Sequence, residues 1–404
     1  MPPHPAQTRL DPRIRLVVAG SFITVAARMG LVTFISIYFV RQAGIELPMV
    51  GIAFLVENLS RGVLSPGFGA LTDRIGRRPV LLAGLLLNAI VLPCFLLVSG
   101  PVSLIAWSLA MGLAGATQWP VSTALLLDLA PPERRQYVLA VHYTLVNLGY
   151  SVGTIPGGYL AEQGYGVLAA ITAAGYLAVA ILYAAALRGP LPQDRSPTQR
   201  TVLQAATTVA RDKVFLGFAL CAFIFPLSIG LFAFSSAIHG ADRGLSESFI
   251  GLVLGANGIM VALLAVPVAK RIEGRGPYRL LGPSALVLAG SFVCYAFVGD
   301  PAASLISGML LFTAADLVFG AAVPAAVSQL APPGLRGTYQ GAWALVVSIA
   351  IGGSLYVSGL LRDAYDWNTA WLVFCLLALC AGAALIAARK VFRRASLQRG
   401  SPAG

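Results

Sequence analysis

VENLSRGVLSPGFGALTDRIGRRP, residues 56–79, begins as an apolar helix with Glu57 and Arg61 inside it and ends in a burst of charge at Asp73, Arg74, Arg77 and Arg78. The two groups of charges have different meanings. A burst that stops an apolar run marks where a chain leaves a membrane, whereas an acid and a base in the middle of such a run are costly there and point to a site.

The rest of the chain extends this pattern. Of its 404 residues 57% are hydrophobic and 11% charged, against roughly 25% charged in a soluble domain. The apolar residues come in runs of roughly 18 to 25, the length that crosses a ~30 Å hydrocarbon layer as helix. Twelve spans are expected, at 15–40, 47–71, 79–98, 102–126, 137–161, 166–187, 214–237, 248–269, 278–298, 302–326, 339–361 and 368–388. The fold class is an all-α polytopic membrane protein. Met1–Asp11 is polar and Pro-rich and the first apolar run is a full span, so no cleaved leader is expected.

The formal charge of +12 does not call for nucleic acid once the positions of the basic residues are read. With twelve spans, nearly all of the Lys and Arg fall on the side that holds both chain ends, and Arg41, Arg243 and Arg362 fall on the other. By the positive-inside rule both termini are expected in the cytoplasm of a multi-pass protein of the plasma membrane. Cys94, Cys221, Cys294, Cys375 and Cys380 lie within spans, lack ligand or disulfide spacing, and read as small core residues. No metal or other cofactor is expected. Nor is there a G-x-x-x-x-G-K-[ST] phosphate loop, so the energy source should be an ion gradient rather than ATP.

The polar stretch at 188–213 divides the chain into an N-terminal half, 1–187, and a C-terminal half, 214–404, of six spans each. A repeat supports the division: LAPPERRQY at 129–137 recurs as LAPPGLRGTY at 330–339, after the fourth span of each half. A weaker echo pairs DRIGRRP at 73–79 with KRIEGRGP at 270–277. Two pseudo-symmetric six-helix halves around a central axis place a substrate site between them near the midplane.

GALTDRIGRR, residues 69–78, resembles the loop between helices two and three of the major facilitator superfamily, written G-x-L-x-D-R-x-G-R-R, and matches each defining position. Gly69 and Gly76 suit close approach and a tight turn, and Asp73 supplies an acceptor at the membrane edge. The resemblance implies a latch made by Gly69, Asp73, Arg74, Gly76, Arg77 and Arg78 with Asp128 at the end of span four. Such a latch holds the Asp near the N-terminus of helix eleven, stabilises the outward-open state and breaks for the inward-open one.

NLGYSVGTIPGGYL, residues 147–160 in span five, is similar to the glycine-rich stretch of the multidrug/proton antiporter branch, with its proline displaced. Gly149, Gly153, Gly157 and Gly158 would let helix five press on a helix of the other half, and Pro156 would bend it. The same branch carries an arginine in helix four where this chain has Ser108, which departs from the usual arrangement for proton antiport.

Arg28, Glu57, Arg61 and Asp316 are the charges near the middle of their spans. Each should face the bundle interior or a water-filled cavity and find a partner. Glu57 and Arg61 are four apart and can pair within one helix; Arg28 on the neighbouring span can compete for Glu57. Asp316 has no basic neighbour in FTAADLVFGAAVP. A carboxyl left without a cation in an apolar wall favours its protonated form, the property of a proton carrier, and Asp316 or Glu57 is expected to load and release the proton; the alternative for Asp316 is a gating pair with Arg28. His142 reads as a packed residue more than a relay. Gln118, Trp119, Asn147, Phe223, Phe232, Asn257, Tyr339 and Trp343 are candidates for lining a cavity.

The expected function is proton-coupled export of a small, amphipathic or drug-like compound by a monomeric secondary transporter, with protons and the bilayer as its other partners. Two rivals remain on the same fold: an uptake symporter or facilitator for a metabolite, and a translocator of lipids or lipid-linked sugars that uses the midplane charges for a headgroup. An enzyme is not expected.

Overall fold

The computed structural model describes residues 11–187, 208–272, 274–332 and 335–400. The expected linker at 188–213 lies for most of its length outside the described residues, and so do the side chains of Asp73 and Trp119. Among the described residues the secondary structure is entirely helical and makes twelve crossings. In the first half they are Pro12–Arg41, Leu47–Ile75, Arg77–Leu97, the broken pair Pro101–Gly115 and Gln118–Leu129, Arg135–Gln163 and Tyr165–Ala186. In the second half they are Lys213–Asp242, Glu247–Ile272, Pro277–Phe297, Pro301–Leu330, Arg336–Ala364 and Trp367–Gly400. The two repeat copies occupy equivalent places in the chain, between spans four and five and between spans ten and eleven.

Eleven of the crossings are single stretches long and apolar enough to span a membrane. Span four is not one helix: it breaks at Ala116–Thr117. A break inside a bilayer is tolerated only where the freed backbone groups find partners. Here Asn88 of span three reaches across, its Nδ2 donating to the carbonyls of Gly84 (2.8 Å) and Ala114 (2.9 Å), and the Thr117 hydroxyl donates to Ala114 as well (2.9 Å). Span seven carries a wide turn at Leu231–Ser235. Gly76 has φ +94°, a conformation that glycine adopts without strain, and it turns the chain from span two directly into span three.

Helix-on-helix contact is made through small residues, as expected where no hydrophobic force separates protein from lipid. Gly149, Gly153 and Gly157 of span five all face span one: a Cβ on Gly153 would lie 2.0 Å from the Ala26 carbonyl oxygen, and one on Gly157 2.5 Å from Gly30. Of the glycines expected to meet the other half only Gly158 does so, against the backbone of Glu247 in span eight. The correction follows from spacing: residues 149, 153 and 157 recur every four positions and share one helix face, whereas 158 is rotated off it. Pro156 lies inside this helix without ending it. The second half repeats the scheme, with Gly230 of span seven against Ser354 of span eleven.

The two halves meet along span two against span eleven and span five against span eight. Gly51 abuts Tyr356, Gly352 abuts Leu55, Gly359 abuts Leu47 and Pro48, and Gly251 abuts Thr154. Large apolar side chains such as Val102, Leu220 and Leu97 remain exposed on the outer surface, where lipid covers them. Cys375 is buried but Cys380 is exposed on the same outer surface, so it is not a core residue.

Span twelve runs well past the expected end at 388, as helix to Gly400. Its extension is tied back to the second half. The Arg399 guanidinium makes a two-pronged contact with Asp212 (2.7 and 3.0 Å), and the Tyr339 hydroxyl donates to the same carboxylate at 2.6 Å. Asp212 also accepts the amides of Val214 and Phe215 and so caps span seven. Burial pushes its carboxyl up, but Arg399, Tyr339 and the Phe215 amide outweigh burial and hold it below the usual carboxylate range.

Two measurements test this packing. Gly153→Val forces a side chain into the backbone of span one and should lower the thermal midpoint in detergent by the equivalent of about 1–3 kcal/mol. Asp212→Asn should cost about 1–2 kcal/mol and speed trypsin cleavage at Arg393 and Arg394. Because the Asp212 carboxyl is depressed in the folded state, its contribution is present at neutral pH and disappears as the pH falls below about 4; the thermal midpoints of parent and variant should converge there.

Candidate transport cavity

The midplane charges sort into one group of three and one alone. Arg28 of span one donates from Nη2 to Glu57 Oε1 of span two in a short contact, while Arg61 Nη1 stands 3.8 Å from the same oxygen and its Nη2 donates to the Asn58 side-chain oxygen. Arg28 therefore takes the closer position on Glu57, and the intrahelical Glu57–Arg61 contact is secondary. Arg28 and Glu57 side chains are each 8% exposed and Arg61 36%. Tyr176 of span six stands beside the group and donates to Gln118 Oε1 at 3.3 Å. The alternative pairing of Arg28 with Asp316 does not occur, because Glu57 on the adjacent helix holds Arg28 first. Asp316 of span ten has no ion pair or hydrogen bond among the described residues.

Three of these charges, Arg28, Arg61 and Asp316, line two adjoining cavities. The first, about 640 Å³, is walled by Arg28, Arg61, Gln118, His142, Asn147 and Tyr150 with small residues of spans one, two and eleven. The second, about 440 Å³, contains Asp316 amid Phe232, Phe312, Val261 and Asn257. Asn147 and Tyr150 of span five line both. The Phe232 and Phe312 rings stack at 4.3 Å, and Asn257 donates to the Thr313 hydroxyl at 2.8 Å. Of the candidate lining residues, Gln118, Asn147, Phe232 and Asn257 do face these spaces. Trp343 and Tyr339 do not: Trp343 packs against Phe218 and Tyr339 against Phe215, away from the centre. His142 is buried in the first wall.

Among the described residues the space is open on one side. Toward the face opposite the chain ends the halves are sealed by polar contacts as well as by glycines. Arg41 at the end of span one donates to the Ala241 carbonyl of span seven and lies 3.8 Å from Asp242, which also binds Arg362 at 3.0 Å and accepts from Trp367 Nε1 at 2.9 Å. The Tyr165 hydroxyl donates to Glu247 at 2.7 Å, and the Ser248 amide donates to Glu162 at 2.8 Å. Toward the chain-end face these contacts thin out: Gly62 lies within reach of the Ser348 hydroxyl, and beyond it a Cβ on Gly67, Gly337 or Gly341 would meet nothing within 4 Å.

At the chain-end face the charged burst is folded onto its own half. Arg77 donates from Nε to Asp128 at 3.0 Å and from Nη1 to the Thr72 hydroxyl, and Arg78 donates to the Ala184 carbonyl of span six at 2.8 Å. Arg77 and Asp128 thus come together as the motif implies; Arg74 is exposed.

Sequence reading missed the seal of Arg41, Asp242 and Arg362 and the tie of Asp212, Tyr339 and Arg399. The signal for the first was present, since two of the three arginines on that face take part in it. Ser108, which stands where an arginine was expected in span four, is buried and donates to the Leu104 carbonyl at 2.9 Å; no charge enters the cavity from that position.

Sequence comparison matches residues 17–355 and 218–403 to the Major Facilitator Superfamily. The chain is 26% identical over 349 residues to the multidrug resistance protein MdtH of Escherichia coli (strain SE11), covering 85% of this chain and 83% of that protein. It is 24% identical over 374 residues to a Na(+), Li(+), K(+)/H(+) antiporter of Planococcus maritimus, covering 83% and 86%. Among solved structures, a bacterial homologue of the human lysosomal transporter Spinster, inward-facing and unoccupied, aligns with a TM-score of 0.77 at 14% identity over 96% of this chain and 98% of that one, a likeness of fold. Twelve crossings in two similar halves around a central cavity, together with a family match over most of the length, establish that this chain belongs to the Major Facilitator Superfamily and is a transporter of small molecules, not an enzyme.

Proposed function

We propose that this transporter exports a small amphipathic compound in exchange for protons, the two halves 1–187 and 214–404 rocking about the central cavity while the linker 188–213 joins them. One observation carries the reading: Asp316 is a carboxyl without a partner among the described residues, in an apolar wall of the central cavity. The other midplane charges engage one another, so Asp316 is the group free to exchange a proton for a substrate. The names of the two relatives, one of multidrug resistance and one of proton antiport, agree with it.

Basic residues gather on the chain-end face, which supports a cytoplasmic position for it; on that reading the cavity opens inward. In the outward-open state the burst that includes Gly69, Asp73, Arg74, Gly76, Arg77, Arg78 and their partner Asp128 closes against the N-terminus of span eleven, and the seal around Arg41 opens. The Arg28–Glu57 pair joins spans one and two throughout, with Arg61 on the same carboxylate from within span two. An uptake symporter or facilitator is favoured by one observation, the close-packed Ser108 in place of an arginine.

Proteoliposomes containing a trapped pH dye provide the test. Addition of transported compounds should discharge an imposed pH gradient with the parent protein, and Asp316→Asn should abolish the proton signal while substrate still binds. Passage of compounds without proton movement in the parent sinks the antiport reading in favour of a facilitator. Arg41→Ala removes the seal's ion contact; at about 1 kcal/mol for an exposed pair it should raise labelling of a cysteine placed at Ala241 from the outer side about fivefold.

A further inference from the structure

The charges around Glu57 do not cancel. Two arginines share one carboxylate, and no described residue lining the cavity beside them is acidic. Arg28 is buried, lines the cavity, and its Nη1 has no hydrogen-bond partner among the described residues. Arg61 lines the same wall with more than a third of its side chain exposed. The neighbouring groups on this wall, Gln118, Asn147 and the hydroxyls of Ser21, Thr24 and Ser122, are neutral dipoles suited to a polar guest. His142 and Tyr150 are the remaining titratable side chains there, and neither adds negative charge at neutral pH.

The facing wall has the opposite imbalance. Asp316 stands alone on span ten, bordered by Phe232, Phe312, Val261 and Leu317. The cavity thus holds one uncompensated cation on the first half and, once Asp316 has given up its proton, one uncompensated anion on the second, and in a low-dielectric interior each calls for a counter-charge. Asn147 and Tyr150 line both spaces, so one guest can touch both walls.

We infer that the transported compound is an amphipathic zwitterion, with a carboxylate or phosphate that completes the Arg28–Glu57–Arg61 cluster and an amine that meets Asp316. Its apolar body lies against Phe232 and Phe312. This rests on the export reading for the placement of substrate in the central cavity, and it specifies the chemistry of the exchange. Amine and proton compete for one carboxylate, which makes their movements opposite, while the anionic end distinguishes the compound from a simple lipophilic cation. The same chemistry is offered by a free compound and by the headgroup of phosphatidylethanolamine.

The experiment measures equilibrium binding, with no gradient imposed, to the full chain in phosphatidylglycerol nanodiscs. The probes are medium-chain ω-amino fatty acids and, for each length, the n-alkylamine and the fatty acid. The ω-amino acid of matching length should bind at least about tenfold more tightly than either single-charge analogue. Arg61→Gln should erase its advantage over the alkylamine, Asp316→Asn its advantage over the fatty acid, and Arg61→Lys should keep most of the first. Glu57→Gln, which retains an acceptor for Arg28 but removes a negative charge, should leave binding of the anionic end equal or tighter; a cluster with only a structural role would lose binding in Arg61→Gln and Glu57→Gln alike. Adding phosphatidylethanolamine to the discs distinguishes the sources, since competition with the probe identifies a headgroup and its absence a free compound. Equal or better binding of the alkylamine, unaffected by Arg61→Gln, overturns the inference, as does a preference for the fatty acid unaffected by Asp316→Asn, or binding of none of the three. The assay contains no proton gradient, so a charge preference that holds alongside a failed proton exchange would refute the export reading and leave this one standing.

Discussion

A charge inside a bilayer-spanning bundle has to be compensated by another group, since water and salt are not there to do it. The contact between Arg28 and Glu57 is where this constraint bears hardest. It joins spans one and two at mid-depth, sets Arg61 at the cavity edge, and leaves Asp316 on the far wall without an arginine. The distribution of polarity in the cavity follows: cationic and amide-lined on one half, acidic and aromatic on the other. Had Arg28 paired with Asp316, the halves would be bridged through the substrate space and the cavity would be closed by its own charges.

The backbone obeys the same rule in a different form. Each freed carbonyl or amide inside the membrane needs a donor or acceptor, and span four can break at Ala116–Thr117 because Asn88 on span three supplies donors at that level. The break places Gly115 and Gln118 on the cavity wall. A side chain that lies outside the cavity thus shapes it by satisfying the backbone of a neighbour.

Much of the architecture was legible in the sequence because it depends on one-dimensional quantities. Run length gives the crossings, and the 129–137 and 330–339 repeat gives the two halves. The loop at 69–78 identified the family through a turn that requires Gly76 and a charge pair that requires Arg77 and Asp128. What was not legible depended on partners distant in sequence. The break in span four cannot be read from an unbroken apolar run, since a donor that satisfies it comes from Asn88 on another span. The faces of Gly149, Gly153 and Gly157 could have been separated from that of Gly158 by helical phase, but which neighbour lies on each face is a tertiary fact. Of the four midplane charges, their depth was readable and their pairing was not: the competition of Arg28 and Arg61 for Glu57 is decided by the approach of span one. The seal at Arg41, Asp242 and Arg362 joins residues some 120 to 200 positions apart, beyond any local pattern.

The closed side of the cavity is built largely from glycines laid on backbone. At Gly51, Gly158 and Gly359 a single added carbon would fall on main-chain atoms of the opposite half, and main chain in a helix cannot step aside as a side chain can. Such positions offer no gradation of size through which selection could adjust how firmly the halves hold together. Variation in that balance among descendants of this chain is therefore channelled to the few side-chain contacts around the seal, where Arg41, Tyr165 and Glu247 can be exchanged by degrees. The interface is inherited as a fixed surface with a small adjustable rim, so lineages adapted to different membranes or temperatures should differ at the rim and retain the glycines beneath it.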